Sequence, residues 1–346
     1  MTDAALPRRD LPVLRRTRQV RLWWLLAVFA AIGLACLMSL GLGARDVTLE
    51  EILGGVRGRT GTIAEAVVAV RVPRTILAAL AGGALGLAGA VMQGVTRNPL
   101  ADPGILGVNS GAAMAVVIGI AWFGIAAPEA FIWTAILGAG LAASFVYAVG
   151  SLGRGGATPL KLALAGTATS IATASFTTAI ILPRNDIAGG VRSWQVGGVG
   201  GATFEAIWPC LPFLAAGALL CLLSARSLNL LALGDEAAAG LGARVASARA
   251  SAALGAVLLC GATTAICGPI GFVGLVVPHL CRVLVGIDHR WLLPFSALTG
   301  GGLLTLADVF GRIVARPSEM DVGIVTAFIG APVFIWIVRR RRVRDL

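Results

Sequence analysis

Leu233-Gly234-Asp235-Glu236-Ala237-Ala238-Ala239-Gly240-Leu241-Gly242 lies between two long apolar runs, Ile207–Ala225 and Ser251–Cys267. It reads as a short polar helix. Asp235 and Glu236 fall in its first turn, where the helix dipole favours anions. Three alanines propagate the helix and Gly242 can end it. Arg244 and Arg249 follow. A run of about 20 apolar residues is long enough to cross a bilayer. The stretch is therefore a short helix in a loop between two membrane spans, on the basic side, where it can touch a soluble partner. The other spans would build a path through the bilayer, and this loop would receive the force that opens it.

The rest of the chain agrees with a membrane protein. Only 13% of the 346 residues are charged, and mean hydropathy is +0.88, far from a soluble domain. Ala4–Arg21 holds six arginines and no apolar core, and Leu22 opens a full span, so no cleavable signal is expected. A net charge of +11 could suggest nucleic acid. In a membrane protein, basic residues more often mark the cytoplasmic side. The six cysteines show no CxxC pair and no histidine at metal spacing, and read as small packing residues.

The expected fold is an all-α polytopic membrane protein with ten transmembrane helices and both termini cytoplasmic. Residues 1–21 and 339–346 are basic tails, and residues 22–338 carry the spans. These are placed at Leu22–Leu42, Val72–Val95, Ile105–Ile125, Ala130–Leu152, Leu160–Leu182, Ala206–Ala225, Ser251–Cys267, Leu275–Val285, Trp291–Phe310 and Gly323–Val338. A surface helix is read at Leu49–Gly54. Gly82, Gly83, Gly86 and Gly89 would let the second span approach a neighbour closely. With ten spans, 19 of the 28 basic residues fall on the inner side, in line with the positive-inside rule. Spans 2–5 and 7–10 flank the sixth with opposite orientation, and Pro/Gly breaks follow spans 2 and 7. That pattern is a sign of an inverted repeat.

Chemistry-bearing residues are few. The only lysine is Lys161, so the chain has no GxxxxGK[ST] phosphate loop, and energy for any work must come from elsewhere. No carboxylate is read at mid-membrane, which argues against an ion-coupled secondary transporter. His279 reads as a packed side chain and His289 with Arg290 as a solvated turn. Neither histidine has a visible partner, which argues against an intramembrane enzyme. Asp308 and Arg312 lie one helical turn apart near an outer end, where an ion pair can form. Arg71, Arg74 and Arg312 oppose the general charge bias. They either snorkel to lipid phosphates or dock an acidic soluble partner. Thr158-Pro159 closes an inner turn. Arg184, Asn185, Asp186, Arg192 and Gln195 lie in a polar, glycine-rich outer segment. They either contact cargo, close the outer mouth, or are ordinary solvated residues.

At several motifs the chain resembles the FecCD family, permease subunits of type II ABC importers for ferric siderophores, haem and cobalamin. The motifs are Arg71-Val72-Pro73-Arg74, Gly89-Ala90-Val91-Met92-Gln93, Asn98-Pro99-Leu100-Ala101-Asp102-Pro103-Gly104-Ile105-Leu106-Gly107, Gly234-Asp235-Glu236, Gly268-Pro269-Ile270-Gly271-Phe272-Val273-Gly274-Leu275-Val276-Val277-Pro278-His279, Asp288-His289-Arg290, and Gly330-Ala331-Pro332-Val333-Phe334. They extend from Arg71 to near the C-terminus.

The resemblance implies the type II importer permease fold in a bacterial cytoplasmic membrane. It also implies a second permease subunit, two ATPase subunits holding ATP and Mg, and a substrate-binding protein, with no cofactor on this chain and no nucleic acid. Carried over by position, Gly234, Asp235, Glu236, Ala237, Ala238, Gly240, Leu241 and Gly242 resemble the ATPase-coupling helix, within a coupling loop at residues 226–250. Arg71, Arg74 and Arg312 resemble arginines that meet acidic residues of the binding protein. Thr158, Pro159 and Leu160 fall at the family's cytoplasmic gate, where Pro159 and Leu160 depart from the small hydroxyl residues of a cobalamin permease. Ferric siderophore is the first expected cargo, with haem and cobalamin as alternatives.

Overall fold

The computed structural model describes residues 17–43, 47–153 and 158–342, which form helices and connecting segments with no strand among them. In chain order the helices are α1 (Arg18–Gly41), α2 (Leu49–Val56), α3 (Ile63–Thr96), α4 (Val108–Phe123), α5 (Pro128–Gly150), α6 (Pro159–Ile181), α7 (Asn185–Val196), α8 (Phe204–Ile207), α9 (Leu211–Leu223), α10 (Ala225–Leu231), α11 (Asp235–Gly240), α12 (Val245–Cys267), α13 (Val273–Val285), α14 (His289–Val314) and α15 (Val322–Arg342). Among the described residues, seven segments are long and apolar enough to cross a membrane: α1, α3, α5, α6, Phe204–Leu223 through α8 and α9, α12 and α14. The shorter apolar helices α4, α13 and α15 stand where spans 3, 8 and 10 were expected. The first sixteen residues and the last four, parts of both basic tails, lie outside the described residues, as do 154–157 of the inner turn.

Several boundaries move, each for a local reason. The helix expected from Val72 begins at Ile63. Thr62 accepts from the Glu65 backbone N–H, and Glu65 accepts from the Thr62 N–H, which is a capping box. Pro73 therefore sits inside the helix rather than at its start. A second capping box, Thr48 with Glu51, starts the surface helix α2 close to where it was read. At the other end of the chain, α14 continues past Phe310 through Arg312 to Val314, and α15 runs on to Arg342.

The glycines do what the sequence suggested. Gly82 and Gly86 of α3 face Gly300 and the Ser296 carbonyl of α14 so closely that no Cβ fits between the backbones. Gly89 meets Gly274 at the start of α13 in the same way. Small residues allow this approach, and the van der Waals contact it creates holds helices together where lipid offers no hydrophobic drive. α3 is the centre of the bundle, packed against α14, α12, α13, α1 and α2. The expected repeat is visible in the partners: α3 pairs with α14 as α12 pairs with α5, α4 with α5 as α13 with α14, and α3 with α13 as α12 with α4. These are the exchanges that relating spans 2–5 to spans 7–10 demands.

The two breaks meet inside the bundle. Asn109 donates to the Ile270 carbonyl at 3.3 Å and Gln93 to the Gly274 carbonyl at 3.1 Å. A Cβ on Gly274 would lie 2.8 Å from an Asp102 carboxylate oxygen. The Pro/Gly break after α3 therefore folds back onto the start of α13. Two carboxylates pack within the bundle: Asp102 against Gly274, and Asp308, which is 1% exposed. Neither signals its burial in sequence. Asp102 sits in a Pro/Gly-rich break, and Asp308 needs a partner from α3, 234 residues away.

Candidate functional site

The segment from α10 through α11 forms a compact loop. Leu228 and Leu231 of α10 and Ala238 of α11 are fully buried against the bundle. Gly234 has φ +106° and Gly242 has φ +83°, so glycine is required on either side of the six-residue α11. The chain turns back by bonds from Gly242 N–H to Ala239 and from Ala243 N–H to Ala238. Leu233, Leu241, Glu236 and Ala237 are exposed on the outer face.

Asp235 and Glu236, adjacent in sequence, point to different surroundings. One Asp235 carboxylate oxygen accepts from Arg97 and from Arg249, each at 2.9 Å. Arg97 caps α3 in the left-handed region, and Arg249 lies in the second turn of α12. Glu236 stays in solvent.

Beside this loop lies a cluster that the sequence reading missed. Asn229 of α10 donates to Asp288 at 2.7 Å and accepts from the His289 backbone N–H at 2.9 Å; His289 Nδ1 lies 2.8 Å from the same oxygen. His289, read as a solvated turn residue, is 7% exposed. It also fills the space beside Gly94, where a Cβ would lie 2.8 Å from Nε2. Arg21 reaches toward Asp288 at 3.9 Å and stacks over Trp291. The one sequence signal was a lone asparagine in Leu228-Asn229-Leu230-Leu231.

At the opposite end of α3 and α14 the three arginines are buried. Arg71, Arg74 and Arg312 are 6%, 8% and 1% exposed. Arg74 donates to both oxygens of Asp308 at 2.8–3.1 Å, and also pairs with the half-exposed Glu319. Arg312 completes the Asp308 pair at 3.1 Å, as its one-turn spacing suggested, and donates to Ser39 of α1. Ser39 meets Thr75 at 2.6 Å, and Arg71 donates to the Leu40 and Gly41 carbonyls. This polar knot ties α1, α3 and α14. Its cause is the longer α3: starting at Ile63 places Arg71 and Arg74 two turns and more inside the helix.

The remaining candidates are dispersed. Thr158 caps α6 by accepting from the Lys161 N–H at 3.3 Å, Pro159 occupies the first turn, and Leu160 is 69% exposed. Arg184 forks onto Asp186 at 3.0 and 3.1 Å and donates to the Ala121 carbonyl, which fastens the start of α7 to the end of α4. That fork holds the Asp186 carboxyl below its ordinary range. Asn185 and Arg192 are exposed and Gln195 is half-buried. A groove of about 510 Å³ between α4 and α6, lined by Met114, Ile118, Phe176 and Ile180, opens beside Arg184. Along α6, Leu164, Thr167, Ile171, Ser175 and Thr178 form an exposed stripe, each hydroxyl bonded to the carbonyl four residues before it. No group of three or more His, Cys, Asp or Glu able to hold a metal occurs among the described residues.

Comparison with known proteins places this arrangement. Residues 30–340 match the model of the FecCD transport family. The chain is 45% identical to the ferric enterobactin transport system permease protein of Escherichia coli, over 89% of this chain and 92% of that one. It is 42% identical to the iron(3+)-hydroxamate import system permease protein of Bacillus subtilis, over 92% and 84%. With the hemin transport system permease protein of Yersinia pestis it shares 38% identity, over 79% and 83%. A solved inward-facing metal-chelate type ABC transporter superposes with a TM-score of 0.78 at 28% identity, covering 92% of this chain and 99% of that one. The chain belongs to the FecCD transport family, as a multi-pass permease of an ABC importer.

Proposed function

We propose that this chain imports a ferric siderophore across the bacterial cytoplasmic membrane, driven by ATP hydrolysis on separate subunits. The observation that carries the cargo is that the ferric enterobactin and iron(3+)-hydroxamate permeases are among its relatives, each matched over more than four fifths of its length. Haem is the second reading, favoured by the hemin permease relative.

Two ATPase subunits dock on the cytoplasmic side, one of them on this chain's loop from Arg226 to Ala250. The support is the exposed face of Leu233, Glu236 and Leu241 on a loop whose other face is buried. ATP closes the ATPase pair and moves α11. The permease shifts only as far as its two states differ in affinity for that pair. A second permease subunit, the same chain or a relative, faces the exposed stripe of α6. Between them runs the path, with Thr158, Pro159 and Leu160 at its cytoplasmic mouth and Arg184, Asn185, Asp186, Arg192 and Gln195 at its outer mouth. Hydroxyls already bonded to the backbone make a weakly binding wall, which suits bulky cargo that must be released.

A binding protein docks at the end that holds Arg71, Arg74 and Arg312. Because these arginines are buried, we assign them to orienting an acidic partner through their field. The half-exposed Glu319 on Arg74 is the contact a docking carboxylate would compete with. The test of cargo is uptake by cells lacking the gene, with and without a plasmid copy, using labelled ferric siderophores, haem and cobalamin side by side. Loss of one siderophore signal, restored by the plasmid, is the expected result. Loss of haem uptake alone would keep the mechanism and overturn the cargo.

A further inference from the structure

The loop is tied to the bundle at two polar points six residues apart, Asn229 and Asp235. Asp235 holds Arg97, which caps α3, and Arg249, near the start of α12. Asn229 holds Asp288 and His289, where α14 begins. Around these points Leu228, Leu231 and Ala238 are fully buried. Polar and apolar contacts therefore join α10 and α11 to the ends of three long helices, while Glu236 takes no part.

We propose that Asp235 and Asn229 are positioning residues that fasten α10 and α11 to α3, α12 and α14, so that a push on the exposed face of the loop moves those three helices as one body. The proposal rests on the reading of this loop as the ATPase contact and refines it: Glu236 meets the partner and Asp235 does not. The side chains of Asp235, Arg97 and Arg249 are 42%, 41% and 27% exposed. Pairs this wet contribute little in water. A docked subunit would exclude water, lower the effective dielectric and strengthen them. The fastening thus tightens when there is force to transmit. The Asn229 contacts are already part-buried and hold in either state. From there the movement has a rigid route outward, because α3 and α14 are joined again by Arg74 and Asp308 at the far end.

The test uses the full complex of permease, ATPase and binding protein in proteoliposomes. The readouts are co-purification of the ATPase and the stimulation of ATP hydrolysis by the binding protein, so the cargo need not be known. For Asp235→Asn the ATPase should co-purify while stimulation falls about fivefold or more, and Asp235→Glu should restore most of it. The double variant Arg97→Ala with Arg249→Ala removes the same bonds without touching α11 and should behave like Asp235→Asn; it serves if that variant misfolds. Asn229→Ala should also lower stimulation. Glu236→Arg should instead weaken co-purification. Full stimulation in both Asp235→Asn and the double arginine variant would overturn the fastening. So would loss of co-purification in Asp235→Asn, which would make Asp235 a contact residue. If Glu236→Arg leaves both readouts intact, the reading of the loop as the ATPase contact fails instead.

Discussion

Consider Gly82→Ala, at the crossing of α3 and α14. The new Cβ would lie 2.6 Å from Leu304 Cβ and 2.8 Å from the Gly300 carbonyl carbon. All of these atoms are set by backbone, so no rotamer relieves them. Ordinary contact begins at 3.4 Å, so 3.4 less 2.6 sets 0.8 Å as the least by which the helices must part, and the Gly300 carbonyl oxygen, closer still, demands more. A gap of that size forfeits about a quarter to a half of each contact it opens. Overpacking of this kind costs about 1–3 kcal/mol. The backbone-to-backbone geometry puts Gly82 at the upper end, offset by about 1 kcal/mol of helix propensity gained from alanine. The net loss is about 2 kcal/mol, a fall in Tm on the order of 5 °C. The damage also spreads: Arg74 lies eight residues before Gly82, and Asp308 eight after Gly300, so parting the helices loosens their 2.8 Å pair. The assay is thermal melting of detergent-purified protein followed by size-exclusion chromatography. Gly83→Ala, with its nearest atom at 3.1 Å, should cost less, and Gly33→Ala, with nothing within 4 Å, should be neutral or stabilising. A Gly82→Ala protein that melts with Gly33→Ala would refute the close-packing argument.

Removing the carboxylate in Asp308→Ala leaves two buried arginines without their shared partner, and should destabilise by about 3–5 kcal/mol, read as loss of monodisperse protein after mild heating. Replacing Thr158 with alanine removes the cap of α6 and should lower stability by about 1 kcal/mol; transport kinetics measured alongside separate this from a gate, because a cap alone leaves the KM for cargo unchanged. Gly94→Ala drives a Cβ to 2.8 Å from His289 Nε2, and should lower binding-protein-stimulated ATP hydrolysis by displacing the Asn229 contacts, while Ala88→Gly on the same helix should lower stability only. In cells, Glu236→Arg should reduce labelled siderophore uptake severalfold at equal membrane abundance.

The membrane class, the all-helical architecture, the close-packing glycines and the loop between α9 and α12 were all legible in sequence. Each depends on the residues within one segment: hydropathy over about 20 residues, a glycine spacing, a Pro/Gly break. The family motifs were legible for the same reason. Helix starts were partly legible, and the Thr62–Glu65 capping box that starts α3 is itself a local sequence signal.

Tertiary structure decided the rest. Of the partners of Arg71, Arg74 and Arg312, only the Asp308–Arg312 pair was local; Arg74 meets Asp308 from α14, and Ser39 reaches Arg312 from α1. Asp235 and Glu236 are chemically near-equivalent neighbours in a first turn, and only the positions of Arg97 and Arg249 separate an anchor from an exposed carboxylate. Asn229 and His289 gain meaning only because α10 lands beside the start of α14. A charge's role in a bundle follows from which helix faces meet, and that adjacency spans hundreds of residues with no local trace, whereas the capacity to form and span is written turn by turn.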